Sequence, residues 1–228
     1  MLPIFDWTIV LIIPAIILSI WAQSKVKSAY KKFSQVRSGA GLTGKQVARR
    51  ILDNHGLQDV EVVESRGVLS DHYDPMKKVV ALSSHNYNQP SVAGLAIAAH
   101  ECGHAIQHKQ EYSMLRFRHA LAMPVQVGSW MSFPLILIGI FMASPMMLDA
   151  GIVLFSLVVL FHLVTLPVEF DASRRAMTIL RTDGYVAPQE ADGAKKVLDA
   201  AAWTYVAAAT AAILNLVRLL LLRGMIDD

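Results

Sequence analysis

Four long apolar runs constrain the fold of this chain more than any other feature. They cover Trp7 to Ala22, Pro124 to Ala143, Gly151 to Pro167 and Trp203 to Leu222. A helix needs about 20 apolar residues to cross the hydrocarbon core of a bilayer, and each run comes near this length. Hydrophobic residues make up 54% of the 228 and charged residues 17%, a balance unusual for a soluble protein. The sequence therefore predicts a mainly α membrane protein with four transmembrane helices.

The basic residues predict how these runs are oriented. Fourteen of the 21 lysines and arginines fall in residues 23–122, and five more fall in residues 171–202. Loops rich in lysine and arginine stay on the cytoplasmic side, so both segments are expected there, with the N- and C-termini outside. No basic residue precedes the first run, which argues against a cleaved signal peptide. We therefore expect a multi-pass protein of the cytoplasmic membrane. Its net charge of +3 indicates a lipid bilayer as partner, and nucleic acid is not expected to bind.

A five-residue motif between the first two runs carries the chemistry. His100, Glu101 and His104 form H-E-x-x-H inside a helical pattern that follows Ser91. Residues four apart lie on one face of an α-helix, so the two imidazoles can bind a single metal ion. Glu101 lies about 100° round the helix, where its carboxylate can take a proton from a water at that metal. The single cysteine, Cys102, excludes a cysteine-rich zinc site, so the other ligands must be histidine or carboxylate.

Glu169 is the candidate for a third ligand. It follows the third apolar run at the face where the charge pattern places the H-E-x-x-H motif. An ordinary charge at the membrane interface is the alternative for a carboxylate in this position. His108 repeats the four-residue spacing, but it lies about 12 Å along the helix axis from His100, too far to bind the same ion. His108 is expected to be a polar neighbour of the site.

The polar segment before the motif predicts a small α+β region. Apolar residues at helical spacing indicate a helix from Gly44 to Asn54. Val60 to Glu64 and Lys78 to Leu82 have the pattern of short strands, and residues 69–75 between them are rich in turn formers. Two interpretations stay open: a plain hairpin, or a sheet whose edge accepts an extended peptide as another strand.

With these pieces placed, the chain resembles the YugP-like neutral zinc metallopeptidases, a family of bacterial membrane proteins. The resemblance runs over nearly the whole length. It is carried by Gly41–Gly44, Ser70–Pro75, Ala99–His108 and Leu166–Phe170. The layout is also distantly similar to the membrane gluzincins that include the protease HtpX and the CAAX prenyl proteases.

The resemblance implies a zinc cofactor and an assignment of site residues. In the membrane gluzincins, the glutamate of an E-x-x-x-D motif on a later helix is the third ligand, which implies Glu169 here. Ser173 stands where that motif has its aspartate. If the aspartate orients a ligand histidine, Asp171 or Asp71 is the candidate to replace it. The residues considered for stabilising the transition state or supporting the ligands are His72, Tyr73, His108, Asp171 and Arg174.

These expectations combine into a zinc metalloendopeptidase that cleaves membrane-associated proteins or peptides at the cytoplasmic face. An intramembrane site-2 type protease and a non-catalytic zinc scaffold or chaperone adaptor are the alternatives. The expected gluzincin-like cytoplasmic domain carries the small sheet. The predicted regions are transmembrane helix 1 (1–22), the metallopeptidase region (23–122), a transmembrane hairpin ending in the third ligand (123–170), a cytoplasmic helical segment (171–202) and transmembrane helix 4 with a short tail (203–228).

Overall fold

The computed structural model describes residues 7–227. Residues 1–6 and Asp228, which the first and last predicted regions include, lie outside the described residues. The chain is mainly helical, at 76%, and its described part contains a three-stranded sheet. After a 3₁₀ turn at Trp7–Ile12, the elements are α1 (Ile13–Phe33), α2 (Gly44–Asn54), β1 (Glu61–Ser65), β2 (His72–Asp74), β3 (Val79–Ser83), α3 (Ser84–Asn88), α4 (Val92–Lys109), α5 (Ser113–Phe141), α6 (Pro145–Thr182) and α7 (Pro188–Asp227).

In the described part of the chain, four helical stretches are long and apolar enough to cross a membrane, as predicted. They are Trp7–Phe33, Ser113–Phe141, Pro145–Thr182 and Pro188–Met225, with mean hydropathy between 1.5 and 2.4 in their most apolar windows. The helices extend beyond the apolar runs. In particular, α6 begins at Pro145, so Pro145 to Ala150, which lie between the second and third apolar runs, are helical. The pyrrolidine ring explains this start, since proline is well suited to the first helical position.

The chain divides into two compact units. The first, called the helical unit, comprises Met1–Ala22, Arg116–Pro167 and Thr204–Asp228. Its helices approach closely at small residues: a Cβ added at Gly139 would lie 2.7 Å from the backbone nitrogen of Leu148. The Nε of Arg223 also donates to a carboxylate oxygen of Asp149 at 2.6 Å, which joins α7 to the second turn of α6.

The second unit, called the α/β unit, comprises Gln23–Leu115 and Val168–Trp203. Its core is built from apolar residues of α2, α4, the sheet, and the parts of α6 and α7 that belong to it. The predicted bounds of α2 are confirmed. Thr43 and Gln46 form a capping box that fixes the start of this helix. The α/β unit contains all the predicted site residues. The predicted region boundaries stay a prediction.

The sheet corrects the hairpin interpretation. β1 pairs with β3 in parallel, so the two predicted strands do not form a hairpin. A third strand, β2, lies within the segment expected to be a turn and pairs antiparallel with β3, giving the order β1-β3-β2. The chain reverses between β2 and β3 where the Asp74 carboxylate accepts from the backbone N–H groups of Met76 and Lys77.

Candidate metal centre

Helix α4 presents the histidine pair on one face. Its first turn is capped by Ser91, whose Oγ accepts from the backbone N–H of Gly94 at 3.1 Å. The rings of His100 and His104 stand nearly perpendicular, with centroids 4.7 Å apart. The four-residue spacing thus brings two imidazoles to one point in the α/β unit.

Glu169 of α6 reaches the same point. Its Oε2 lies 3.3 Å from Nε2 of His100 and 3.5 Å from Nε2 of His104, and its side chain is 3% exposed. One ligand atom from each of the three residues lies within 4.8 Å of the others. The structure therefore brings together the three residues predicted as ligands.

These spacings fit a zinc ion. With bonds of about 2.0–2.1 Å, the ligand atoms of a tetrahedral zinc site lie about 3.3 Å apart, close to both Glu169 distances. Two imidazoles and a carboxylate are also the donor set of catalytic zinc sites that keep one position open. Among the described residues, this group contains three protein ligands, so a fourth position is left for water or substrate.

The outer ring nitrogens of both histidines have partners. Nδ1 of His104 lies 3.0 Å from Oε1 of Gln107, and Nδ1 of His100 lies 3.2 Å from Oγ of Ser173. A proton on Nδ1 leaves the lone pair on Nε2, which is the nitrogen nearest Glu169. With this tautomer, both rings present the nitrogen required for metal binding.

The charges of the site favour a cation. Burial lowers the pKa of His104, but its hydrogen bond to Glu169 and the negative charges of Glu101 and Glu169 raise it more, so the net shift is upward. The fields that attract a proton to this ring also attract a metal ion. A metal at Nε2 competes with that proton.

Glu101 is buried beside the three candidate ligands. Burial raises the pKa of its carboxyl, and the charges of Glu169 and Asp71 act in the same direction, whereas the two histidines oppose them. A carboxyl with a raised pKa is suited to accept a proton from water and to donate it again. Cys102 has the surroundings typical of a structural cysteine, since burial raises the pKa of its thiol and its Sγ donates to the Ala48 carbonyl oxygen at 3.6 Å.

The remaining predicted residues divide into two groups. Tyr73 contacts the helix of the histidine pair, because its OH lies 2.9 Å from Nδ1 of His108. His72 is exposed on β2, and its Nδ1 contacts the carbonyl oxygen of Ser70. Asp171 is buried on α6 and accepts from the exposed Arg174. Tyr73 and Asp171 each contact a residue of α4, whereas the contacts of His72 and Arg174 are to Ser70 and Asp171.

Two supporting residues were not predicted from the sequence. Gln107 donates from Nε2 to Asp171 at 2.9 Å, so Asp171 contacts His104 through this amide. Ser173 itself contacts His100, although the E-x-x-x-D pattern made it a departure. Asp71 instead accepts from Ser83 and Asn86. A polar residue three positions after His104 in a buried helix was the available signal for Gln107.

Helix-borne histidines, a buried glutamate between them and a carboxylate from a second helix are the arrangement typical of metal-dependent peptidases. Comparison with known proteins agrees: residues 8–224 match the family described as "Putative neutral zinc metallopeptidase". The chain belongs to this family. It is also 46% identical over 214 residues to the "Putative membrane protease YugP" of Bacillus subtilis (strain 168), covering 94% of this chain and 95% of that protein. No solved structure matches the chain. Zinc is the cofactor of this family, and His100, His104 and Glu169 form its candidate site here.

Proposed function

We propose that this protein is a membrane-embedded zinc metalloendopeptidase of gluzincin type that hydrolyses membrane-associated proteins or peptides at the cytoplasmic face. The observation that carries the proposal is the convergence of His100, His104 and Glu169 at ligand-to-ligand spacings of 3.3 and 3.5 Å. The sequence places the motif in the segment richest in lysine and arginine, which supports the cytoplasmic side.

In this mechanism, the three ligand side chains hold the metal and Glu101 moves the proton. Zinc, when bound, supplies a Lewis acid that polarises the scissile carbonyl and acidifies water. The Glu101 carboxylate accepts the proton of the attacking water and delivers it to the leaving amine. Its burial keeps the proton near the reacting atoms and away from bulk solvent.

The edge of the sheet supports a way to hold the substrate. β2 is an edge strand in the order β1-β3-β2, and Tyr73 on this strand contacts His108, one turn beyond His104 on α4. An extended peptide that pairs with β2 would lie along the helix that carries the histidines. Burial, followed by the charges of Asp59 and Asp74, raises the pKa of the Tyr73 phenol, so it keeps its proton and can donate to a developing oxyanion.

Replacing Tyr73 tests this role. Tyr73→Phe is expected to lower kcat by about 100- to 1,000-fold, because one transition-state donor is lost, while zinc content stays native. Steady-state kinetics and metal analysis measure the two quantities. Tyr87→Phe, on α3, is the matched control and should keep native kcat. A native kcat in Tyr73→Phe would show that the phenol has no part in the reaction.

The alternatives make different demands on the site. A site-2 type protease requires its H-E-x-x-H helix to cross the membrane, yet α4 is not among the four apolar helices found in the described residues. A structural zinc scaffold requires four protein ligands, whereas the described group contains three. Both observations favour the endopeptidase.

Substitution of Glu101 tests the proposed function. The full chain in lipid nanodiscs, incubated with fluorogenic peptides, is expected to show activity that a chelator removes and zinc restores. Glu101→Gln should bind one zinc per chain and lose at least about 100-fold in kcat, since general-base catalysis is lost. Glu64→Gln, an exposed substitution on β1, is the control and should behave as native. Full activity in Glu101→Gln would refute the assigned role.

The substrate class needs a cellular measurement. Cells that carry only the Glu101→Gln protein should accumulate membrane proteins or peptides that native cells degrade, and some should co-purify with the inactive enzyme. Quantitative proteomics of membrane and soluble fractions makes this comparison. Accumulation confined to soluble proteins would contradict the proposed substrate class.

A further inference from the structure

Gln107 joins the two helices that carry the candidate ligands. Its side chain is 0% exposed and lies on α4, three residues after His104. The Nε2 group donates to the carbonyl oxygen of Val168 at 2.9 Å and to Oδ2 of Asp171 at 2.9 Å. The Oε1 atom lies 3.0 Å from Nδ1 of His104. One buried amide thus contacts a ligand ring on α4 and the backbone of α6.

The partners of this amide determine its orientation. A carbonyl oxygen and a carboxylate oxygen can only accept, so the NH₂ group of Gln107 must face Val168 and Asp171. The oxygen of the amide must then face His104, where it can only accept. Nδ1 of His104 is therefore the protonated nitrogen, and Nε2 keeps its lone pair toward Glu169. The amide selects the tautomer that a metal site requires.

The same contacts fix the position of Glu169. Val168 immediately precedes Glu169 and Asp171 follows it by two residues, so Gln107 holds the helical turn that presents this carboxylate. Asp171 is itself held by the guanidinium groups of Arg174 and Arg175. Arg174 and Arg175 thus contact Asp171, Asp171 contacts Gln107, and Gln107 contacts His104. The hydrogen bonds run from the exposed side of α6 to the ring of His104.

We propose that Gln107, backed by Asp171, is the positioning residue of the metal centre: it sets the tautomer of His104 and the placement of Glu169 together. This inference rests on the proposed function, because it assumes that the three residues hold zinc. It predicts that loss of Gln107 weakens zinc binding beyond any loss of folding stability.

A purely structural amide is the competing explanation, and Asn86 provides the control. Asn86 is also 0% exposed in the α/β unit; it donates to Asp71 and accepts from the Tyr30 OH. It makes no hydrogen bond to His100, His104 or Glu169 among those described. Asn86→Leu therefore removes a buried amide of similar environment without touching the ligands.

The test is the zinc dissociation constant of the full chain in nanodiscs, measured by competition with a chelating dye, alongside thermal unfolding of the metal-free protein. Gln107→Met should weaken zinc binding by about 10- to 100-fold, the usual cost of losing a group that orients a ligand. Asn86→Leu should lower the unfolding temperature and leave the dissociation constant within about twofold of native. Native zinc affinity in Gln107→Met, or an equal loss in Asn86→Leu, would overturn the proposal.

A charge exchange keeps the test valid if Gln107→Met does not fold. Gln107→Glu retains an acceptor for His104 but places a carboxylate against Asp171, so zinc binding should weaken. Adding Asp171→Asn supplies an N–H donor to that carboxylate and should recover at least about tenfold of the loss. No recovery of zinc binding in the double variant would contradict the role of the Gln107–Asp171 hydrogen bond.

His104→Ala distinguishes failure of this inference from failure of the proposed function. If His104→Ala binds zinc as tightly as the native chain, the metal site itself is wrongly assigned. If His104→Ala loses zinc while Gln107→Met keeps native affinity, the positioning role alone is wrong.

Discussion

At the scale of single residues, both candidate ligand histidines are oriented from behind by uncharged oxygen acceptors. Oε1 of Gln107 accepts from Nδ1 of His104, and Oγ of Ser173 lies 3.2 Å from Nδ1 of His100, where it can accept in the same way. Where the E-x-x-x-D pattern has a carboxylate, this chain has a hydroxyl. A carboxylate partner stabilises the protonated, charged form of an imidazole more than a neutral oxygen does. A neutral partner therefore leaves the ring uncharged, with a lone pair for a metal.

Ser173 provides a prediction at this scale. Ser173→Ala should weaken zinc binding by about tenfold, because Nδ1 of His100 loses its acceptor, whereas Ser173→Asp should bind zinc at least as tightly as the native chain. Competition with a chelating dye measures both. Thr178→Ala is the control on the same helix, since that hydroxyl donates to the Arg174 carbonyl oxygen within α6. Native zinc affinity in Ser173→Ala would show that the Ser173 hydroxyl does not support His100.

The candidate ligands were predictable from the sequence, whereas the residues that contact them from behind were not. His100 and His104 follow from helical spacing alone, and Glu169 follows from the order of the apolar runs. The roles of Gln107 and Ser173 depend on contacts that cross more than 60 residues of chain. A single sequence carries no record of which turn of α6 faces which turn of α4.

At the scale of elements, the contact between α4 and α6 depends on a glycine. A Cβ at Gly103 would lie 2.8 Å from the Ala172 carbonyl oxygen, closer than side chains approach a backbone. Gly103 lies between the two histidines, and Ala172 follows Glu169 by three residues. The missing side chain therefore allows the two ligand-bearing helices to approach.

Gly103→Ala should disturb both the packing and the metal site. Overpacking at a rigid backbone contact costs about 1–3 kcal/mol, and separation of the helices should also weaken zinc binding. Thermal unfolding of the full chain with and without zinc measures both effects. Gly39→Ala is the control, since its Cβ would lie 3.4 Å from the nearest atom, a side-chain oxygen of Glu190. Native behaviour of Gly103→Ala would show that the helices tolerate the extra methyl group.

Helix bounds were more predictable than strand pairing. The bounds of α2 follow from local chemistry, because Thr43 and Gln46 cap the helix where the apolar pattern begins. β2 escaped prediction because three residues ending in Asp74, before a proline, resemble a turn. Parallel pairing of β1 with β3 depends on the whole segment between them and has no short-range signal.

At the scale of the whole molecule, the sidedness of the chain is the main prediction still to be tested. Met76 is 92% exposed in the turn before β3, and Met142 is 74% exposed between α5 and α6. The proposed topology places Met76 in the cytoplasm and Met142 outside. These two positions therefore report on opposite faces of the membrane.

Cysteine labelling tests this topology. With a membrane-impermeant maleimide, Met142→Cys should be labelled on intact cells and Met76→Cys only in inverted vesicles. The unsubstituted chain is the control, because its cysteine is buried and burial raises the pKa of the thiol, so it should stay unlabelled. The reverse pattern would place the candidate centre on the outer face.

The most direct measurement of the central claim is the zinc K-edge X-ray absorption spectrum of the full chain loaded with one zinc. We predict two imidazole nitrogens and a carboxylate oxygen at about 2.0–2.1 Å, with no sulfur. Glu169→Gln should lose the carboxylate contribution and most of its zinc affinity. A spectrum that contains a sulfur ligand, or one that is unchanged in Glu169→Gln, would contradict this prediction.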